Sequence, residues 1–294
     1  MTLRQALTAA RDRLVDAGVA PDEAAIDVEL FARTILGWDR ARMITASMQG
    51  APAALEPTFS AWVARRATRE PSAYIIGVRE FYNLELEVTP AVLIPRPETE
   101  MIVEAALPLL ARTLDARVAD VGTGCGNIAV TLAHEARRST VVATDVSGEA
   151  LAVAKRNAAR HGVVDRIEFV ETPYLDGVEG PFDLIAANPP YVRETDRGGL
   201  SPSVLHEPAV ALFGGANGMR DIEGVLEATA AKLRQGGWLI MEFGFGQEDD
   251  VRARVAVHDD LRFDRVLADL QGLPRTAVVT RIAANRRGAD VGQV

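Results

Sequence analysis

"ARVADVGTGCGNIAVTLAHEA", residues 116–136, is the stretch on which the fold turns. It opens with a short apolar run of strand character. Gly122, Gly124 and Gly126 follow, where the absence of a Cβ lets the backbone turn tightly and lets a ligand come close. "NIAVTLAHEA" then reads as a helix. Beyond it the pattern repeats. "STVVATDV" is a strand ending near Asp145, and "GEALAVAKRNAARHG" is a helix with Gly162 as its stop. "RIEFVE" and "FDLIAAN" are two more strands. After a long loop through residue 220, a helix is predicted from Ile222 to Arg234, followed by the strand "GWLIMEFG". The segment "LRFDRVLADLQGLPRTAVVTRI" predicts two last strands around a Gly-Leu-Pro loop. Strands alternating with helices of this length predict an α/β fold with a mostly parallel, doubly wound sheet.

The chain before this alternation has a different texture. Leu3, Leu7, Ala10 and Leu14 recur on one helical face, with Thr2 placed to cap it. A second helix opens at Pro21 and stops at Gly37, and a third covers Pro57 to Arg69. From Tyr74 to Glu98 the residues alternate and are rich in Val, Leu and aromatics, with Asn83 suited to a turn, which predicts a β-hairpin. The expected division is a helical domain over 1–73, a hairpin linker over 74–98, a larger domain over 99–284, and a disordered tail over 285–294.

Composition narrows the function. Of the 294 residues 48% are hydrophobic and 25% charged, ordinary for a globular protein, and no run of about 18 apolar residues suggests a membrane span. The N-terminus lacks the apolar core of a signal peptide, and Cys125 is the only cysteine, so a cytoplasmic location is expected. The net charge of −9 weighs against duplex DNA as the main ligand, since phosphate neutralisation wants a basic face. Residues 1–75 hold nine Arg and nine acidic residues, so the rest of the chain carries the whole deficit.

In open α/β sheets, ligands lie beyond the carboxyl ends of the strands. The glycine spacing here is GxGxG, which weakens a dinucleotide reading. Asp145 ends the second strand 23 residues after Gly122, placed to accept hydrogen bonds from both hydroxyls of a ribose. A nucleoside ligand follows. Cys125 is read as a small filler within the loop.

"DLIAANPPYVRE", residues 183–194, supplies the chemistry. Pro189 and Pro190 have no N–H and fix φ, so the strand stops there with Asn188 and Tyr191 held at its end. A planar NH2 group entering the crevice offers two donors. Asn188 can accept one through its side-chain oxygen and the Pro189 carbonyl can accept the other, while Tyr191 packs against the group. Held this way, a weakly nucleophilic amide nitrogen can face an electrophile. The methyl sulfonium of S-adenosylmethionine is the electrophile that suits a glycine-loop nucleoside site, and alignment alone contributes several kcal/mol.

With these motifs in view, the chain resembles the peptide chain release factor N5-glutamine methyltransferases. The resemblance spans nearly the whole length. It rests on "YIIGVREFYNLELEVTPAVLIPRPETE", "DVGTGCGNIAV", "NPPYV", "HEPAVALFGGANGMRDI" and "LIMEFGFGQ". It implies a Rossmann-like class I S-adenosylmethionine-dependent methyltransferase sheet, with a helical N-terminal domain that helps grip the release factor. S-adenosyl-L-homocysteine would be the product and the glutamine of a Gly-Gly-Gln motif the acceptor. By that resemblance Gly122, Thr123, Gly124, Cys125 and Gly126 line the cofactor and Asp145 holds its ribose. Asn188, Pro189, Pro190 and Tyr191 hold the substrate glutamine, with Asn188 also close to the cofactor. In one place the chain departs from the family. Pro173 in "VETPYLDG" falls where an acid often reaches the adenine, while Tyr174 keeps an aromatic that can stack there, and Glu171 could substitute only if the loop shifts.

Arg96, Glu98 and Glu100 either cover the cofactor or solvate a linker. His206 and Glu207 lie in the loop after the NPPY motif, a plausible cover over the substrate and a poor metal site; no metal is expected. Glu242, at a strand's carboxyl end, either borders the pocket or is structural. Two other functions compete: an amino methyltransferase acting on DNA adenine or on a ribosomal-protein glutamine, and a nucleoside-binding module without chemistry. DNA adenine would require base flipping and a basic cleft, and no basic segment is visible. Release factors are the expected partners, with no membrane and no stable nucleic-acid binding.

Overall fold

Leu3, Ala6, Ala10 and Leu14 bury one face of α1 (Leu3–Asp16), and Thr2 and Gln5 close its first turn as a reciprocal capping box. α2 (Pro21–Leu36) has proline in its first turn and ends at Gly37, whose φ of 64° is the left-handed stop glycine tolerates best. Two short helices that the sequence did not reveal follow the same pattern of local signals. α3 (Arg40–Ala46) is capped by Asp39, and α5 (Ser72–Ile76) ends at Gly77; between them lies α4 (Thr58–Ala67). The computed structural model describes residues 1–283, and the described chain forms two compact units. The first is Met1–Val78 with Ser201–His206, and the second is Arg79–Leu200 with the residues from Glu207 onward. The tail expected over 285–294, and residue 284, lie outside the described residues.

The helical unit packs Leu3, Leu14, Phe31, Phe59 and Val63 into its core, with Phe31 edge-on to Trp62 at 5.5 Å. It also buries a charge. Arg66 is 1% exposed and donates to Asp27 at 2.6 Å and to Glu23 at 2.5 Å.

The hairpin is shorter than expected. β1 (Val78–Phe81) and β2 (Leu84–Glu87) pair across a two-residue turn. Tyr82 and Asn83 have φ of 49° and 61°, as a two-residue hairpin turn with the strands' own twist requires. Tyr74 to Ile76 belong to α5 instead, and the proline-pinned stretch after Glu87 is irregular up to a short turn at Pro97–Thr99, before α6 (Glu100–Leu110).

The second unit is built on β3 (Arg117–Val121), α7 (Asn127–Glu135), β4 (Thr140–Asp145), α8 (Gly148–Arg160), β5 (Ile167–Glu171) and β6 (Phe182–Ala187). It continues through α9 (Ala209–Leu212), α10 (Arg220–Lys232), β7 (Leu233–Glu242), α11 (Glu248–Val255), β8 (Leu261–Ala268) and β9 (Pro274–Arg281). The seven strands lie in the order β5-β4-β3-β6-β7-β9-β8; the first five are mutually parallel, β9 runs against them, and β8, antiparallel to β9, runs with them. The near-continuous burial of β3, β4 and β6 is what a sheet covered on both faces demands. β7 begins earlier than expected, because the fully buried Leu233 pairs with Phe182 and ends the helix before Arg234. The stretch expected as a loop after β6 is tied down by a parallel bridge from Val192 to Phe213, and α9 and two short turns form in the chain between those residues.

Candidate active site

β3, β4, β6 and β7 run parallel, so Val121, Asp145, Ala187 and Glu242 end at one edge of the sheet. The order reverses about β3, with β4 on one side and β6 on the other. A crevice is expected at that reversal. A cavity of about 250 Å³ lies there, lined by Gly122, Thr123, Gly124 and Cys125 from the glycine loop and by Asp145. Asn188, Pro189, Pro190 and Tyr174 also face it. Two residues expected in the site, Gly126 and Tyr191, are not among its lining residues.

The glycines divide the work. Gly122 and Gly124 have φ of 72° and 55°, and a Cβ on either would meet no atom within 4 Å. Both line the cavity, so the loop presents bare backbone to it. Gly126, at φ 84°, instead lets α7 close on α8, since a Cβ would lie 3.1 Å from the Ala154 Cβ. The loop is anchored from below by Asp120, which the sequence reading missed. Its Oδ2 accepts from the Thr123 hydroxyl at 2.6 Å and from the Ala129 N–H at 3.0 Å, while its buried Oδ1 has no hydrogen-bond partner among the described residues. Burial pushes this carboxyl up to about 7. The signal was present as an acid inside an otherwise apolar strand.

Asp145 is already engaged with backbone. Its Oδ2 accepts from Gly124 N–H and its Oδ1 from Ser147 N–H, both at 2.9 Å. Burial raises its pKa, and these N–H groups pull it partly back. Cys125 is buried and its thiol is pushed up to about 12, which leaves no thiolate for nucleophilic work near neutral pH. Its carbonyl accepts from the Asn157 amide at 2.8 Å. Asn157, fully buried on α8, also exchanges hydrogen bonds with the backbone of Glu87, at 2.7 and 3.0 Å, and so ties the end of the hairpin to the glycine loop. The polar residue on the apolar face of "AVAKRNAAR" was its only sequence signal.

At the other end, Tyr174 adopts φ 49° and lays its ring on Gly224, where a Cβ would fall 2.1 Å from Cζ. Its hydroxyl donates to Asp221 at 3.1 Å. Pro173 lines the cavity. Glu171 does not, its carboxylate lying beside Gly148, whereas Asp221, from the first turn of α10, does.

The NPPY backbone is gripped closely. A Cβ on Gly214 would lie 2.4 Å from the Pro190 carbonyl oxygen, and one on Gly218 2.3 Å from that of Tyr191. Gln247 donates to the Tyr191 carbonyl at 3.0 Å while accepting from Gly244 N–H at 2.8 Å. Asn188 donates through Nδ2 to the Thr99 hydroxyl at 3.0 Å. Among the described residues, neither its Oδ1 nor the Pro189 carbonyl accepts a hydrogen bond. The Tyr191 hydroxyl turns away to Glu242, 3.1 Å distant. Glu242 is 2% exposed and does not line the cavity; burial raises its pKa, against the pull of the Thr99 and Tyr191 hydroxyls and of Arg275.

Glu207 is a clasp. Nearly buried, it pairs with Arg96 and accepts from Ile94 N–H at 3.0 Å, holding the proline-rich loop whose Pro95 and Arg96 line the cavity. Among the described residues no group of three or more His, Cys, Asp or Glu could hold a metal, and no helix is long and apolar enough to cross a membrane.

Known proteins match this arrangement at three levels. Residues 100–212 match the Methyltransferase small domain family and residues 5–77 the PrmC N-terminal domain. Among solved structures, the catalytic domain of hMettl16 in complex with a MAT2A 3'UTR hairpin is similar in fold, with a TM-score of 0.55 at 18% identity over 76% of this chain and 82% of that one. A methyltransferase from Pyrococcus furiosus is also similar, with a TM-score of 0.51 at 18% identity over 69% and 91%. The release factor glutamine methyltransferase of Koribacter versatilis is 40% identical over 95% of this chain and 98% of its own. That of Moorella thermoacetica is 37% identical over 96% and 99%. With both domains matched and such relatives aligned end to end, the chain belongs to the release factor glutamine methyltransferases.

Proposed function

We propose that this enzyme methylates the side-chain amide nitrogen of the glutamine in the Gly-Gly-Gln motif of peptide chain release factors. Its cofactor is S-adenosylmethionine, which supplies the methyl group when bound. The cavity suits that molecule. Gly122 and Gly124 leave room where side chains would intrude, Asp145 offers a carboxylate for the ribose, and Val146, Ile128 and Val225 offer an apolar wall. Tyr174 and Asp221 together supply an aromatic ring and an acid at the cavity wall beside Pro173.

The single observation that carries the reading is the pair of free acceptors at the exit of β6. The Asn188 Oδ1 and the Pro189 carbonyl stand on proline-stiffened backbone in the same cavity as the glycine loop. A carboxamide NH2 has two donors, and accepting both holds its plane and turns the nitrogen lone pair towards one side. Tyr191 anchors this exit, its hydroxyl donating to Glu242 and its carbonyl accepting from Gln247. The relatives do not favour DNA adenine or a ribosomal-protein glutamine as the acceptor.

The test is transfer of labelled methyl from S-adenosylmethionine to a purified release factor. Incorporation is expected with the native glutamine and none once it is changed to glutamate. Label entering the glutamate form, or plain duplex DNA, would overturn the assignment. With the substrate in place, Asn188→Ala should lower kcat by about a hundredfold or more while the cofactor dissociation constant moves little.

A further inference from the structure

We propose that Thr99 and Glu242 are positioning residues that dictate which way round the Asn188 carboxamide sits. The inference rests on the reading of Asn188 as acceptor for the substrate amide.

Strand register brings the parts together. Ala187, the last residue of β6, pairs with Met241 of β7, so the next residue of each strand places Glu242 beside Asn188. Thr99 stands at the start of α6 and is fully buried. The three side chains form one line. Asn188 Nδ2 donates to Thr99 Oγ1 at 3.0 Å, and Thr99 Oγ1 donates to Glu242 Oε2 at 2.6 Å. The other carboxylate oxygen, Oε1, accepts from the Tyr191 hydroxyl at 3.1 Å.

The direction of this line follows from counting hydrogens. Both Glu242 carboxyl oxygens accept here, Oε2 from the Thr99 hydroxyl and Oε1 from that of Tyr191. A hydroxyl has one hydrogen, and that of Thr99 is committed to Glu242, so towards Asn188 its oxygen can only accept. The NH2 end of the Asn188 amide must therefore face Thr99, and Oδ1 is left for the cavity. Reversed, the amide would present an NH2 to the substrate's NH2, donor against donor. A carboxamide is nearly symmetric in shape, so packing alone discriminates poorly between the two orientations; the hydrogen-bond chain does. Tyr191 closes the arrangement by donating to the second carboxyl oxygen.

The test uses the full-length enzyme with a release-factor substrate. Thr99→Val keeps the shape and removes the hydroxyl; kcat should fall about thirtyfold, with the KM for S-adenosylmethionine within about twofold. Thr99→Ser restores the hydroxyl and should recover most of the rate. In Glu242→Gln the amide can donate to Thr99, reversing the chain, so kcat should fall at least as far as in Thr99→Val. Cofactor binding by calorimetry shows that each variant is folded. Thr99→Val added to Asn188→Ala should cost little more than Asn188→Ala alone. If Asn188→Ala cripples kcat but Thr99→Val does not, or if serine fails to rescue, or if the two substitutions are additive, the positioning role is lost while the reading of the site stands. If Asn188→Ala itself leaves kcat intact, both fall.

Discussion

The two units bury charge in opposite ways. In the helical unit, Arg66 meets the carboxylates of Asp27 and Glu23 in a closed ionic cluster. In the catalytic unit, Asp120 and Glu242 are as deeply buried, yet their hydrogen-bond partners among the described residues are hydroxyls and, for Asp120, one backbone N–H, with no guanidinium donating to either. Burial raises both carboxyls as a result. A buried charge that finds its opposite belongs to the architecture. One held only by neutral donors is costly to keep ionised, and such groups gather where they shape a site.

The largest expected effect tests the helical side of this contrast. Arg66→Met strands Asp27 as a buried carboxylate without its cation, which should cost about 3–5 kcal/mol in urea denaturation followed by circular dichroism. A loss below about 1 kcal/mol would erase the contrast.

Asp120 tests the other side, through pH. Its carboxyl lies near 7 in the folded chain against an ordinary value of 3.8. Folding therefore favours the protonated form, so the stability is full below about pH 4 and is lost as pH climbs through about 7. Asp120→Asn should flatten that fall, worth about 4 kcal/mol, in Tm measured across pH 4 to 8. An unaltered slope would mean that Asp120 is not the group responsible.

Glu207 sharpens the comparison, being a buried acid in the catalytic unit that does have a cation, Arg96. Glu207→Gln should cost about 1–2 kcal/mol of stability by thermal denaturation; an increase in stability would place it with the strained acids instead. The smallest effect is expected at Asp145. Replacement by Ala should weaken S-adenosylmethionine about tenfold, roughly 1.4 kcal/mol, by calorimetry. No change in affinity would remove its ribose contact.

Much of this was legible before any coordinates. The glycine loop, the acid ending β4 and the NPPY exit are local signals, each tied to backbone conformations that only certain residues adopt. The longer helices α1, α2 and α4 announced themselves through a cap, an opening proline and a stop glycine. The errors were also local. Short helices such as α3 and α5 carry too few turns for a period to show, and the hairpin was overextended because alternation continues past Glu87 into residues that pair with nothing in the sheet. The anchor of Tyr191 was hidden for a different reason. An aromatic beside a catalytic amide suggests stacking, and nothing nearby in the chain reveals Glu242 waiting for its hydroxyl.

From its residues alone the chain specified where strands must stop, where backbone must be bare, and which side chains would stand at the ends of strands. Those are matters of steric freedom and periodicity, decided within a few neighbours. Only the folded sheet settled who holds those side chains. The partner of Asn188 lies 89 residues away, and the carboxylate beyond it is 143 residues from Thr99. Strand register and helix packing bring them within 3 Å of one another, and a hydrogen-bond chain acquires its direction only when every member is in place.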